Sequence, residues 1–351
     1  MDAANGGGRI GEPIPGSCLC INTAHLDSGF RLDLVDGLCF TPIFCWFEAV
    51  SLQLTVWRFL DGNRAHEKQS AALVAGLRAS FGGEGGVASF DIPCPPSFFS
   101  RVFSDPAQSR GLPKPDFIIG TGSGSRWPML AARRHHGGRA VAINLPLLPY
   151  RWFDFAIVPE HDRPPPLPNI ILSQGALTEP LPNSSIQSGR GLILVGGPSK
   201  HFTWDLQSLR QQLERLLAHP LDWQLSDSRR TPDGSLESVT GAKLVHWREC
   251  PPGWLQEQLA TAEQIWVTED SISMVFESLQ SRARVGVLRV PSKKKANKVR
   301  ATVQRLVDQG MVTDRLEDVS APFAPVREPL NQYLVCARAL LRRCGLPVAD
   351  T

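Results

Sequence analysis

The 351-residue chain has no CxxC pair, no tandem spacing of metal ligands and no long apolar run, and each absence removes a class of protein. Its eight cysteines, at 18, 20, 39, 45, 94, 250, 336 and 344, lack the paired spacing of a zinc site or a redox couple, so they read as reduced, buried thiols. Even the closest two, Cys18 and Cys20, lie in an apolar segment that favours packing over ligation. The opening MDAANGGGRIGEPIPG has no basic stretch followed by an apolar one, so no secretory signal is visible and a cytoplasmic location is expected. The most apolar stretch, Ile43 to Trp57, is interrupted by Glu48 and Gln53 and falls short of the roughly 20 apolar residues of a spanning helix. It reads as packed against the body, with peripheral membrane contact as the other reading.

Charge of one sign is also scarce. A net charge of +3 makes no case for a nucleic-acid partner. The positive residues are dispersed apart from Lys293, Lys294, Lys295, Lys298 and Arg300, a run that is either solvated surface or an anion site. The turn GGPSKH at 196–201 is neither GxxxxGK[ST] nor GxGxxG, which argues against a P-loop kinase and a dinucleotide dehydrogenase.

What is present is the composition of a globular protein, with 42% hydrophobic and 20% charged residues, in a chain longer than one core usually supports. Beyond residue 50 the sequence alternates. Val56 to Leu60 reads as a strand, Asp61-Gly62-Asn63 as a turn, and Ala65 to Leu77 as a helix with Ala71, Leu73, Val74 and Leu77 inward. Strands at 87–92, 116–119, 140–144, 155–158 and 169–172 follow, with the turn GTGSGS leading to a helix from about Pro128 to Arg134. A proline-stiffened connection and the polar TEPLPNSSIQSGRG then separate a second series of strands, at 192–195, 222–226, 243–246, 264–267 and 285–290, interleaved with helices. Short strands apolar on both faces and alternating with helices predict an α/β protein with parallel sheets. The expected organisation is an unassigned extension over 1–50, one Rossmann-like domain over 51–182, a second over 183–325, and a C-terminal helix in 326–351 that packs back toward the first.

Ligands of open parallel sheets bind beyond the carboxyl ends of the strands, so the polar turns there are the candidate sites. In GGPSKH, Gly196 and Gly197 let the backbone approach an anion, while Ser199 and Lys200 add a hydroxyl donor and a positive charge; the alternative is a glycine turn with a solvated lysine. VTEDSISMVFES brings Thr268, Ser271 and Ser273 as hydroxyls. Glu277, one helical turn beyond Ser273, is placed to accept a ribose diol or to stand as a solvated helix glutamate. In SDSRRTP, Arg229 and Arg230 are candidates for phosphate. In the first half, Asp61, His66 and Glu67 share a strand-to-helix junction, where His66 or Glu67 is a candidate general base and helix capping is the alternative. Ser123, Ser125 and Arg126 of GTGSGSR are expected to face the same cleft.

Taken in order, DGNRAHEKQ, PDFIIGTGSGSRWPMLAARR, NLPLLPYRWFDFAIVPEHDRPP, NIILSQGAL, GLILVGGPSKHFTWD, DSRRTP and VTEDSISMVFE resemble the mitochondrial fission family of the elongated-mitochondria type, over about residues 55 to 310. Ser123 and Gly124 depart from the basic or histidine-bearing turn of many relatives. The resemblance implies a GT-B architecture, two facing Rossmann-like domains with a nucleotide sugar held mainly by the second. It implies that Gly196, Gly197, Ser199 and Lys200 contact the diphosphate and that Thr268, Ser271, Ser273 and Glu277 line the nucleotide. Its bacterial members are regarded as glycosyltransferases, which predicts transfer of a sugar from a nucleotide diphosphate to a hydroxyl acceptor, without a resident cofactor. No two aspartates lie two residues apart, so the DxD metal motif is absent and a divalent metal is not required. The plant members imply the alternative, a non-catalytic scaffold that recruits a dynamin-like GTPase.

Overall fold

The computed structural model describes residues 53–83, 85–95, 110–144, 148–294, 297–321 and 328–349. The fold is α/β, with two fully parallel sheets of six and five strands. The first is built from β1 (Leu54–Leu60), β2 (Val87–Pro93), β3 (Phe117–Thr121), β4 (Arg139–Ile143), β5 (Phe155–Pro159) and β6 (Ile170–Ser173), in the order β2-β1-β3-β4-β5-β6. Helices α1 (Arg64–Ser80) and α2 (Ser123–His136) connect it. The central strands are apolar on both faces because each face is covered: Leu54, Val56 and Ile119 pack with Leu73, Val74 and Leu77 of α1, and Trp57, Phe59 and Ile118 pack with Met129 and Ala132 of α2. Ala72 rather than Ala71 belongs to that buried stripe of α1, since Ala71 is only half-buried.

The second sheet follows the order β11-β10-β7-β8-β9, with β7 (Arg190–Leu194), β8 (Asp222–Ser226), β9 (Lys243–Val245), β10 (Gln264–Thr268) and β11 (Arg284–Leu288). Its helices are α3 (Leu206–Leu217), α4 (Trp254–Thr261), α5 (Ile272–Ser278) and α6 (Lys298–Asp308). One face packs Leu192, Ile265 and Val285 on α4, α5 and α6; the other packs Ile193, Trp223 and Trp266 on α3. The final helix, α7 (Gln332–Arg343), returns to the first core, where Tyr333, Cys336, Ala337, Leu340 and Leu341 pack with the α1 stripe. A Cβ at Gly76 of α1 would collide with the Tyr333 carbonyl, so glycine there permits the close helix crossing.

Several local expectations change. The second helix begins at Ser123 rather than near Pro128, because Gly122 at φ +83° turns the chain directly into it. Pro128 therefore lies inside that helix. Of the described cysteines only Cys336 is buried, and burial pushes its thiol up to about 12; Cys94, Cys250 and Cys344 are partly covered, and Cys18, Cys20, Cys39 and Cys45 lie outside the described residues. So does most of the apolar stretch from Ile43, of which the described end forms the start of β1. Among the described residues no helix is long and apolar enough to cross a membrane.

Candidate functional site

In each sheet the strand order reverses once, between β1 and β3 in the first and between β7 and β10 in the second. Loops that leave adjacent strands in opposite directions open a crevice at such a point. Register brings the relevant turns level: Phe59 pairs with Gly120, which sets Asp61 beside the turn after β3, and Val267 pairs with Leu194, which sets Thr268 beside Gly196.

At the first switch point Asp61 and His66 form a pair, with Asp61 Oδ2 2.7 Å from His66 Nδ1. An ionised carboxylate only accepts, so the proton of this contact sits on Nδ1 and the Nε2 lone pair is left for a ligand. The aspartate side chain is 9% exposed and the imidazole 31%, so the orienting group is enclosed and the ring is accessible. Asp61 is fixed further by the Asn63 amide, which donates to its Oδ1 at 3.1 Å, and Asn63 caps α1 by accepting from the Ala65 amide. Gly122 and Gly124 make the arrangement sterically feasible. A Cβ at Gly122 would overlap His66 and Asp61, and one at Gly124 would meet the Asp61 Cβ at 2.9 Å.

Glu67 accepts from the Gly62 amide at 3.1 Å and so helps to close the turn before α1. One neighbouring assignment is corrected. Ser125 and Arg126 do not face the cleft: helix α2 starts early enough to carry both inward, to 0% and 3% exposure. Ser125 donates to the Thr121 and Gly122 carbonyls, and Arg126 donates to the Ile143 carbonyl at 3.3 Å. Burial lowers the Arg126 guanidinium to about 10, against the opposing pull of Asp61 and Tyr150. Of the three residues only Ser123, at the first position of the helix, is exposed.

The second switch point differs. All four backbone polar groups of the Gly196-Gly197 pair are already used: the Gly196 amide donates to Thr268 Oγ1 at 2.7 Å, the Gly197 amide to Asp270 Oδ2 at 3.0 Å, and their carbonyls accept from Thr231 and Arg230. Side chains at these positions would strike the Asp270 carboxylate and the Arg230 backbone. The glycines therefore admit protein groups, and the expected phosphate cradle at these two amides is not formed. Thr268 is fully buried beneath them. Ser199 is likewise engaged, its Oγ accepting from the His201 and Phe202 amides. Lys200 projects into solvent beyond the turn. Arg230 is paired with Asp270, 2.7 Å away.

Three of the expected residues do meet. Arg229, Ser273 and Glu277 line one cavity of about 410 Å³, together with Arg64 and Lys68 of α1 and with Glu179 of the connection between the sheets. This cavity lies between α1 of the first half and α5 of the second. Burial pushes the Glu277 carboxyl above the ordinary glutamate range; Lys68 opposes the shift and Glu179 adds to it. Arg229 also lies over the Trp247 ring, 6.0 Å from its centroid. Ser271 precedes α5 without a side-chain cap bond and is not one of the lining residues, nor are Thr268 and Lys200. Arg64 and Lys68 were missed in the sequence; they are four residues apart and thus share a helical face, a signal available only once the partner of that face is known. Among the described residues no three His, Cys, Asp or Glu side chains stand together as a metal site.

Comparison with known proteins fits this architecture. The family model of mitochondrial fission ELM1 matches residues 57–344. The chain belongs to the mitochondrial fission ELM1 family. No curated protein sequence matches it. Among solved structures, a Listeria monocytogenes protein assigned as a UDP-N-acetylglucosamine 2-epimerase superposes with a TM-score of 0.51 at 10% identity, over 84% of this chain and 97% of that one. The glycotransferase of kitacinnamycin gives a TM-score of 0.45 at 14% identity, over 84% of this chain and 95% of that one. With its two parallel sheets, the ELM1-family chain thus shares a GT-B-like fold with the Listeria protein.

Proposed function

We propose that this ELM1-family protein is a glycosyltransferase that moves a sugar from a nucleotide diphosphate to a hydroxyl acceptor. The Asp61–His66 pair at the first switch point carries the proposal, because a carboxylate-oriented imidazole with a free Nε2 is a general base. In this reading the nucleotide lies in the cavity between α1 and α5. Glu277 accepts the ribose hydroxyls, Ser273 adds a hydroxyl, and Arg229 with Arg64 and Lys68 supplies positive charge to the diphosphate. His66 Nε2 takes the proton of the acceptor hydroxyl as its oxygen attacks the anomeric carbon. The bond from that carbon to the diphosphate oxygen breaks, and the diphosphate leaves with the electron pair. Asp61 stabilises the imidazolium that results. The charge available from the three cations is what a metal-independent reaction requires.

Calorimetry with UDP, GDP, CDP, ADP and their sugar esters tests the binding step, and release of nucleotide diphosphate in the presence of acceptor tests transfer. Saturable binding of one nucleotide, weakened by Arg229→Ala, is the expected result. One observation favours a second reading, a scaffold that recruits a dynamin-like GTPase: the polar groups of Gly196 and Gly197 are filled by the protein itself. Silence across the whole nucleotide panel would replace the enzyme reading with the scaffold.

A further inference from the structure

The lysines after β11 have no part in the cavity between α1 and α5. Their loop is hydrogen-bonded to the turn after β7. The Lys293 amide donates to the His201 carbonyl at 2.9 Å, Lys293 Nζ to the Ser199 carbonyl at 2.7 Å, the Thr203 amide to the Pro291 carbonyl at 2.9 Å, and Asn297 Nδ2 to the His201 carbonyl at 3.3 Å. Asn297 then caps α6, whose first residue is Lys298. Two loops from opposite ends of the chain segment are thereby joined at the carboxyl edge of the second sheet, and Lys200, Lys293, Lys294 and Lys298 are all exposed there.

The acids of this edge are already neutralised from within. Glu269, fully buried, is paired with Arg289 and Arg300; Asp314 is paired with Arg289, and Asp270 with Arg230. Asp205, nearest in sequence to Lys200, accepts from the Ser208 amide as the cap of α3. Among the described residues none of the four lysines forms an ion pair with a carboxylate. The structure therefore gathers positive charge on the outside of an internally balanced edge, and like charges held together attract a multivalent counter-ion.

We propose that Lys200, Lys293, Lys294 and Lys298 form one anion-binding surface that takes a phosphate-dense group, a diphosphate or the headgroup of an anionic lipid. The surface is separate from the nucleotide cavity and needs none of its residues. The full-length chain is compared with Lys293→Ala/Lys294→Ala/Lys298→Ala, with the corresponding triple arginine variant, and with Lys200→Ala. The probes are inorganic pyrophosphate, by calorimetry, and phosphatidylcholine vesicles with and without an anionic phospholipid, by co-sedimentation.

The triple alanine variant is expected to lose about tenfold or more in affinity for at least one probe, since each charge-assisted contact is strong. Lys200→Ala should lose less, and the arginine variant should retain binding because charge is kept. Loss of pyrophosphate affinity identifies a soluble diphosphate as the source, and loss of vesicle binding a lipid headgroup. Because the nucleotide reading also places a diphosphate at Arg229, the pyrophosphate comparison is repeated in an Arg229→Ala background; the loss caused by the triple alanine substitution should persist there, so a failure of the nucleotide reading does not touch this result. Wild-type binding of neither probe, or equal binding by the triple alanine variant in its folded form, would overturn the proposal.

Discussion

The two glycine turns at the switch points look alike in sequence and do opposite things. After β3, Gly122 and Gly124 clear space for the side chains of Asp61 and His66, and the imidazole stays accessible. After β7, Gly196 and Gly197 clear space for the Asp270 carboxylate and the Arg230 backbone, and the turn is closed by protein groups. A glycine after a parallel strand signals that something approaches closely. It does not say whether the visitor is a ligand or the protein itself, and that depends on which side chains the neighbouring strand delivers.

The sharpest way to break the comparison is at His66. His66→Ala should lower the transfer rate by about 10²- to 10⁴-fold, the usual contribution of a positioned base, with a change in stability of about 0.5 kcal/mol or less. Steady-state rates beside thermal melts would show it, and an unchanged rate would reduce the Asp61–His66 pair to a helix-entry motif.

The glycines themselves give the next effect. Gly122→Ala forces a side chain into φ +83° and against His66, which should cost roughly 1–3 kcal/mol and displace the imidazole, so activity falls further than stability. Gly197→Ala meets the Arg230 backbone and should cost a similar ~1–3 kcal/mol. In the folded fraction of that variant nucleotide affinity should be unchanged, because the two glycine amides already donate to Thr268 and Asp270. Chemical denaturation together with calorimetry separates the two outcomes, and a selective loss of nucleotide affinity in Gly197→Ala would restore the turn as a binding element.

Glu277 yields the smallest change and one with a defined sign. Its carboxyl is raised in the folded protein, chiefly by burial, so the fold favours the protonated form. The wild-type chain accordingly loses stability as pH climbs from the unfolded carboxyl value, about 4.3, through the raised folded value. Glutamine does not titrate. Glu277→Gln should therefore melt at a higher temperature than the wild type at neutral pH, with the advantage shrinking toward pH 4, while the preference for ribose over 2′-deoxyribose declines. A melting difference independent of pH would place the carboxylate in solvent.

Much of the architecture was legible because parallel strands buried on both faces leave short apolar runs, and Asp222–Ser226 coincides with the strand read from sequence. The start of α2 was not. Gly, Ser and Pro128 are poor helix formers, and only the packing of Met129 and Ala132 against the first sheet overrides that propensity. Arg229, Ser273 and Glu277 were legible as polar residues beyond strand ends. Arg64 and Lys68 were not, since the face of α1 they occupy gains meaning from α5, some 200 residues onward. The closing of the second turn was hidden for the same reason: Gly197 meets Asp270, and Asp270 meets Arg230, through contacts that no local pattern announces.

The return of α7 to the first core sets an order of events on the ribosome. The five-stranded half is contiguous from Arg190 to Leu288, so its sheet can assemble as soon as those residues emerge. The six-stranded half is synthesised earlier but keeps the Leu73, Val74 and Leu77 stripe partly bare until Tyr333 to Leu341 arrive. The part made first is thus completed last, and a nascent chain halted before α7 leaves an apolar helix face uncovered.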